Sequence, residues 1–500
     1  MKKNIYPLIL MIILLISSCT NLDTELYDRI DASNFYETEE EIQAGIANVY
    51  YRLENIHQWR YLWSLQELTT DHGITPTRSN GGWYDGRVWI DLHLRDWDAT
   101  NSYITRTYSY FFVVIGSANS FIETLYKNDD DKLAPIIAEI KALRAWSYYN
   151  LIDLYGNVPI VTEAHLDQKN LPTNASRQDV FSFIESELKD AILDLPSVSS
   201  VDRSSYYPRI TKEAAQTILA KLYLNAEVYT GSARWQDCID ECNNVINSGG
   251  YSLTPSIWDS YIPENENSPE IVFSVPKHNQ DISGNVVNLY GLHPALIPLY
   301  GIPRAWGGPS VCIEHYNMYD EDDFRRSLIL NDSIFYPDGS PLLYNDVPFV
   351  ITPIDDIFNA DPDQGLRSIK YQPDPDQIGN NSRNDMILLR YADVLLSKAE
   401  CMFRLGDVSG AEDLINLVRS RNFNPDKPLT NITLNDILEE RSKEFFWDRM
   451  YRQDLIRFGK FLDESYKFKP TSVTESYRTL FPIPQSEIEA NPNLVQNPGY

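Results

Sequence analysis

Between Asp71 and Trp97 the chain gathers side chains that could grip a polyhydroxylated ligand. Asp71, Arg78, Asn80, Trp83, Tyr84, Trp89 and Trp97 surround the run Gly81-Gly82-Trp83-Tyr84-Asp85-Gly86-Arg87. Sugar rings present apolar C–H faces and equatorial hydroxyls, so a carbohydrate site needs flat aromatics for the faces and Asp, Asn or Arg for the hydroxyls. Both types occur together here. Farther along, Trp306 sits in Arg304-Ala-Trp-Gly-Gly308 between Pro303 and Pro309, a composition that predicts an exposed loop. Tyr300 is a further candidate beside it. The competing role for each of these aromatics is packing against helices. Trp146, Trp235 and Trp447 stand at helical spacing and read as core.

Catalytic and metal-binding patterns are not found. The seven histidines, at positions 57, 72, 93, 165, 278, 293 and 315, are scattered, and Asp71-His72 reads as a loop pair. No His-Glu-x-x-His, Gly-x-Ser-x-Gly or Gly-x-x-x-x-Gly-Lys motif occurs. Cys238 and Cys242 lie on one face of a predicted helix, where a metal would find two ligands and need two more, so packing is their expected role. Neither metal nor cofactor is therefore expected. A glycoside hydrolase is the enzymatic alternative, because it needs only two carboxylates about 5–9.5 Å apart and the chain has 71 acidic residues.

These residues need a scaffold, and hydrophobic periodicity supplies one. Thr38-Glu39-Glu40-Glu41 predicts a capping box before Ile42, Ile46, Val49 and Leu53. Another helix runs from Ile136 to Leu154 and stops at Gly156 and Pro159. A third starts at Ser176-Asp179 and passes through Val180, Ile184, Leu188 and Ile192 to Pro196. Thr211 to Gly250 and Leu388 to Val418 each read as a helical hairpin, and Thr433 opens a last long helix through Phe445, Trp447, Tyr451 and Leu455. Stacked hairpins of this design look like tetratricopeptide units. From about 251 to 385 the period fades into Pro, Gly, Asn and Asp, with Ile271–Val275 as the clearest strand. Long irregular stretches of this kind tend to carry function.

Composition narrows the field further. Across 500 residues, 43 Lys and Arg face 71 Asp and Glu, a net charge of -28 that would repel a phosphate backbone, so no nucleic acid is expected as a partner. Aromatics make up 12% of the chain, with 10 Trp, 32 Tyr and 19 Phe. The N-terminus reads as a processing signal. Lys2 and Lys3 precede the apolar run Leu8–Ile16, too short to span a bilayer, and Ser17-Ser18-Cys19 comes next. Residues 1–18 are read as a lipoprotein signal peptide and Cys19 as the lipidated residue that anchors the chain to a membrane.

In family order, the chain carries Lys141-Ala-Leu-Arg-Ala-Trp-Ser-Tyr-Tyr-Asn150 with Leu154-Tyr-Gly-Asn-Val-Pro159, then Thr211-Lys-Glu-Ala-Ala215, Val245-Ile-Asn-Ser-Gly249 and Glu270-Ile-Val-Phe273. Leu389-Arg-Tyr-Ala-Asp-Val-Leu-Leu-Ser-Lys-Ala-Glu400, Glu440-Arg-Ser-Lys-Glu-Phe-Phe446, Asp454-Leu-Ile-Arg-Phe-Gly459, Phe481-Pro-Ile-Pro484 and Asn491-Pro-Asn-Leu-Val-Gln-Asn-Pro-Gly-Tyr500 complete the series. On these motifs it resembles the SusD/RagB family of outer-membrane nutrient-binding lipoproteins. Two departures stand at the start of the mature chain: Leu26 where many members have Pro, and few acidic residues directly after Cys19.

The resemblance implies a mainly α fold of tetratricopeptide-like hairpins against a loop-rich portion. It divides the chain into an N-terminal SusD-like helical domain, 19–250, and a C-terminal RagB/SusD domain, 251–500, irregular to 385, helical over 386–460 and ending in a tail, 461–500. It also implies a non-catalytic, lipid-anchored, surface-exposed outer-membrane protein that takes an oligosaccharide or other nutrient and hands it to a SusC-like, TonB-dependent β-barrel transporter. A peptide- or protein-binding helical-repeat lipoprotein is the other binding alternative.

Overall fold

A computed structural model describes residues 36, 38–56, 60–128, 131–167, 169–280, 284–463, 465–469 and 475–500. The signal segment 1–18, Cys19 and Leu26 lie outside the described residues.

Side-chain caps start most scaffold helices where the sequence places them. The Thr38 hydroxyl accepts from the Glu41 N–H and the Glu41 carboxylate accepts from the Thr38 N–H, at 3.2 and 3.1 Å. This reciprocal box opens α1 (Glu39–Ile56). Asn101 caps α2 (Ser102–Lys127), a proline in the first turn starts α3 (Ala134–Tyr155), and Ser176 caps α4 (Arg177–Asp194). Thr211 caps α5 (Lys212–Leu224), which precedes α6 (Trp235–Asn247). After the irregular segment come α7 (Tyr391–Arg404) and α8 (Val408–Ser420), the latter capped by Asp407. A Thr433/Asp436 capping box opens α9 (Leu434–Glu444), and α10 spans Tyr451–Arg457.

Each helix from α1 to α8 packs on the next, so four helical pairs share their apolar faces with their neighbours, as a mainly α stacked array requires. The α6–α7 contact is made across the whole irregular segment. That segment is clasped at its base by β1 (Ile271–Val275) and β2 (Met386–Arg390), antiparallel with Ile271 opposite Arg390 and Val275 opposite Met386. Three ladders of two-residue strands lie between: Ile329–Leu330 with Arg367–Ser368, Asp332–Ser333 with Val350–Ile351, and Leu343–Tyr344 with Val347–Pro348. Leu292, Leu296, Phe349 and Ile351 give this portion an apolar cluster of its own. One larger core takes residues from both sides of position 250. Cys238 and Cys242 on α6 and Cys401 on α7 are free and buried, and burial pushes the Cys401 thiol well up.

Two expected helices differ. Leu388–Arg390, expected to begin a helix, belong to β2. All five of its positions are buried, and a short apolar run does not distinguish a buried strand from a helical turn until a partner strand decides. The long helix expected from Thr433 through Leu455 breaks after Glu444, with Trp447 and Arg449 at φ of 63° and 65°. The break is held by groups distant in sequence. Lys370 Nζ donates to the carbonyl oxygens of Glu444 and Phe446 at 3.1 and 2.7 Å, and Trp447 Nε1 donates to the His72 carbonyl at 2.9 Å. Trp146 and Trp447 are buried as expected; Trp235 is only half-buried.

Beneath these elements runs a buried ionic network. Arg390 binds Glu270, Glu444 and Asp448 at 2.9, 2.6 and 3.0 Å. Arg421 binds Glu270 and Glu444, and Arg325 binds Asp323, Glu440 and Glu444. A second group joins Arg441 to Asp393 and Asp454, Lys221 to Asp393, and Arg457 to Glu400 and Asp454. Burial by itself would raise the Glu444 carboxyl, but Arg421, Arg390 and Arg325 hold it well below the usual carboxylate range. Lys221 and Arg441 overcome burial at Asp393 in the same sense.

Removing one member strands its partners in a low-dielectric interior. Arg390→Ala or Glu444→Ala is expected to cost about 3–5 kcal/mol in urea unfolding. Because these carboxyls titrate lower folded than unfolded, their contribution is complete above the unfolded value near 4.5 and is lost as the pH falls from there toward the folded values. Wild-type stability that stays flat through that acid range would contradict the network.

Candidate functional site

Two segments far apart in sequence meet through Arg78. Its guanidinium is buried and donates to the carbonyl oxygens of Asp361, Gln364, Gly307 and Gly308 at 2.8–3.0 Å, and to Ser310 Oγ at 3.3 Å. Burial lowers its pKa to about 10, so it remains charged at neutral pH. The backbone of the 306–308 loop is pinned in turn: the N–H groups of Trp306, Gly307 and Gly308 donate to the carbonyls of Leu289, Leu292 and Tyr290.

On this base sits an aromatic platform. Trp83 Nε1 donates to the Trp306 carbonyl at 3.2 Å. Tyr290 meets Trp306 edge-on at 4.7 Å between centroids and Trp83 at 5.9 Å, both at 81°. Arg60 lies 5.2 Å over the Tyr290 ring and donates to its hydroxyl at 3.1 Å. Trp306 is 42% exposed and Tyr84 55%; Trp83 is half-buried. A Cβ at Gly308 would come within 2.2 Å of the Trp83 ring, so the close approach of loop and indole requires glycine there.

The turn that presents Trp83 is strained. Trp83, Asp85 and Arg87 all take positive φ, at 61°, 37° and 71°, a conformation costing about 1–3 kcal/mol per non-glycine residue and concentrated at ligand sites. Local bonds hold it. Asn80 Oδ1 accepts from the Gly82 N–H at 3.0 Å, Asp85 accepts from Trp89 Nε1 at 2.9 Å, and Arg87 pairs with Asp91 at 3.0 Å.

The structure brings Trp83 and Trp306 together, leaves Asn80 in the turn before Trp83 and Tyr84 exposed after it, and corrects four other expectations by burial. Trp89, 1% exposed, lies in the helix Val88–Leu94 and packs on Tyr103 at 4.3 Å. Trp97, 2% exposed, packs on Phe481 at 4.7 Å and donates to the Tyr500 hydroxyl at 2.7 Å. It anchors the C-terminal tail, whose Phe481 N–H donates to the Leu154 carbonyl and whose Asn497 Nδ2 donates to that of Tyr155. Asp71 is buried beside His72 and His315. Arg78 positions the platform from below and is not at its surface. Tyr300 lines a different groove, with Tyr316 and Phe324. Arg60 and Tyr290 were not foreseen: an arginine and a tyrosine at unrelated positions carry no motif, and only the aromatic excess hinted at more platform residues.

Asp71, His72 and His315 place ligand atoms within 4.8 Å of one another, yet the set is poorly suited to a cation. Both His72 nitrogens are engaged, Nδ1 with Glu67 at 2.8 Å and Nε2 with Ser442 Oγ at 2.9 Å. Burial lowers both imidazoles, and the Lys370 ammonium lowers them further, a field that would oppose a dication.

Comparison with known proteins gives two family-model matches, described as "Starch-binding associating with outer membrane" over residues 22–224 and "SusD family" over residues 363–500. The chain is 25% identical to SusD-like protein P25 of Formosa agariphila, covering 98% of this chain and 99% of that protein. It is 25% identical to the starch-binding protein SusD of Bacteroides thetaiotaomicron, over 88% and 86%. Among solved structures, surface glycan-binding protein A from Bacteroides fluxus superposes with a TM-score of 0.74 at 23% identity, over 93% of this chain and 100% of that one, a likeness of fold.

Burial separates platform from packing in a measurable way. Trp89→Ala and Trp97→Ala are expected to cost about 3–5 kcal/mol in urea unfolding, whereas Trp306→Ala should stay within about 0.5 kcal/mol of wild type. An equal loss in all three would make Trp306 a packing residue.

Proposed function

The chain belongs to the SusD/RagB family, and from that premise we propose that it is a non-catalytic outer-membrane lipoprotein that binds oligosaccharide on the Trp83–Tyr290–Trp306 platform. The observation that carries this reading is the geometry of the rings. Tyr290 wedges edge-on between two indoles and so fixes the exposed Trp306 in place before any ligand arrives. A preset aromatic face loses little entropy on stacking with a sugar. Arg60 borders it through Tyr290, and Asn80 and Tyr84 lie beside Trp83 in the chain, groups that can satisfy hydroxyls; hydrolysis of a glycosidic bond would need two carboxylates flanking it. The relatives support the same chemistry, since one is a starch-binding protein and one a surface glycan-binding protein.

Anchoring and delivery complete the proposal. Acylation of Cys19 holds the protein to the outer membrane at the cell surface, and its cargo passes to a SusC-like, TonB-dependent β-barrel transporter. The family description "associating with outer membrane" supports the location. Acyl chains stabilise such attachment by about 0.8 kcal/mol per buried methylene.

Native gels cast with laminarin, amylopectin, xylan, mannan or alginate test the ligand class. At least one should retard the wild-type protein, and Trp306→Ala or Trp83→Ala should weaken binding to it by about 1–3 kcal/mol. Unchanged retardation in both variants removes the platform from the site, and release of reducing ends would mark an enzyme instead. For the assembly, mild-detergent extraction of membranes should recover the chain with a large β-barrel protein, and Cys19→Ala should move it to the soluble fraction. A solitary protein, or a variant still bound to membrane, would refute the partner or the anchor respectively.

A further inference from the structure

We propose a second oligosaccharide-binding site, in the groove of about 710 Å³ on the irregular portion that Tyr300, Tyr316, Phe324, Arg326 and Asn331 line. This rests on the carbohydrate reading of the platform and extends it to a separate surface.

The groove is singled out by polar groups that the protein leaves unused. The hydroxyls of Tyr300 and Tyr316, the Glu321 carboxylate, the Arg326 guanidinium and the Asn331 amide make no side-chain hydrogen bond or ion pair among the described residues, yet all five line this one groove. Arg326 is the telling member. Its guanidinium stacks 4.7 Å over the Tyr316 ring, and its Nε is buried with no acceptor. Acidic neighbours are close in sequence but committed elsewhere: Asp323 to Arg325 at 2.8 Å and Asp322 to Lys427 at 3.1 Å. In other parts of this chain buried guanidinium groups find acceptors, Arg325, Arg390 and Arg441 in carboxylates and Arg78 in backbone carbonyls. A guanidinium over an aromatic ring that binds no acceptor among the described residues can turn its N–H groups to a ligand's oxygens.

The remaining chemistry selects the ligand. Phe324 and Phe335 are 37% and 54% exposed on the groove wall and offer flat apolar surface to C–H faces. Donors (Arg326, Asn331, the phenols) and an acceptor (Glu321) line the same groove, matching hydroxyls that both give and take hydrogen bonds. The free Glu321 carboxylate opposes an acidic polymer, and aromatic walls with mixed donors and acceptors suit the faces and hydroxyls of a neutral oligosaccharide. The volume lies within the range of small-ligand sites.

The test uses the same set of polysaccharide gels on the full chain. In a Trp83→Ala/Trp306→Ala background, residual retardation should persist in a neutral polysaccharide, and adding Phe335→Ala or Arg326→Gln should reduce that residual affinity about tenfold. Phe335 is exposed, so its variant should fold even if Arg326→Gln does not, and an unchanged thermal midpoint would confirm it. Complete loss of retardation in the platform variant overturns the groove while leaving the platform in place. Residual retardation that ignores both groove substitutions also overturns it, and residual binding to alginate alone overturns the neutral-ligand assignment. If the wild-type chain is retarded by none of the gels, the platform reading and the groove fall together.

Discussion

A charge taken out of water must meet its opposite, and in this protein that demand joins segments spread over half the chain. Glu270 at the edge of β1, Arg390 at the end of β2, Arg421 after α8 and Glu444 at the end of α9 satisfy one another in a space without solvent. None of these groups could be buried alone, because each ion transferred to the interior costs several kcal/mol unless the geometry of its partners restores that loss. The network therefore works as a register. The helical array and the strand clasp have to arrive in one relative arrangement for all four to be paired, and any slip leaves a bare charge. Arg441, Asp393, Asp454, Arg457 and Glu400 impose the same condition on the fourth helical pair and on α9 and α10.

The proposed ligand platform obeys the same logic on a smaller scale. Arg78 is a buried cation whose partners are backbone carbonyls from two stretches of loop, so the guanidinium converts irregular chain into a rigid seat. A loop built this way can present Trp306 to solvent without losing its position. The strained turn at Trp83 is tolerated because Asp85, Trp89 and Arg87 close hydrogen bonds around it. Both proposed carbohydrate surfaces draw on the irregular segment between β1 and β2. The helices supply a stiff base, and the clasp holds the segment against it.

This division of labour explains why the motifs that mark the family say little about its ligands. Glu270, Arg390, Asp393, Glu400, Glu440, Arg441, Glu444, Asp454 and Arg457 all lie in those motifs, and all are spent on the ionic interior. The closing motif at Phe481–Pro484 and Asn491–Tyr500 is likewise structural, folding back to bind the end of α3 and the indole of Trp97.

Local signals in the chain determined α1 and α3 to α8, the strand at Ile271–Val275 and the irregular nature of the segment between the two clasp strands, because capping and apolar periodicity act within a few residues; α2 and its Asn101 cap came only with the structure. They also singled out Trp83 and Trp306, through glycine and proline neighbours that keep a loop from burying its tryptophan. Tertiary structure alone decided that Trp89 and Trp97 turn inward, that Arg78 works from beneath, that Tyr290 and Arg60 complete the platform and that Tyr300 belongs to another groove. It also split the expected final helix at Trp447 and made a strand of Leu388–Arg390. The physical reason is the same in each case: the direction of a side chain and the fate of a buried charge depend on which other elements pack against them, and no local spacing encodes that.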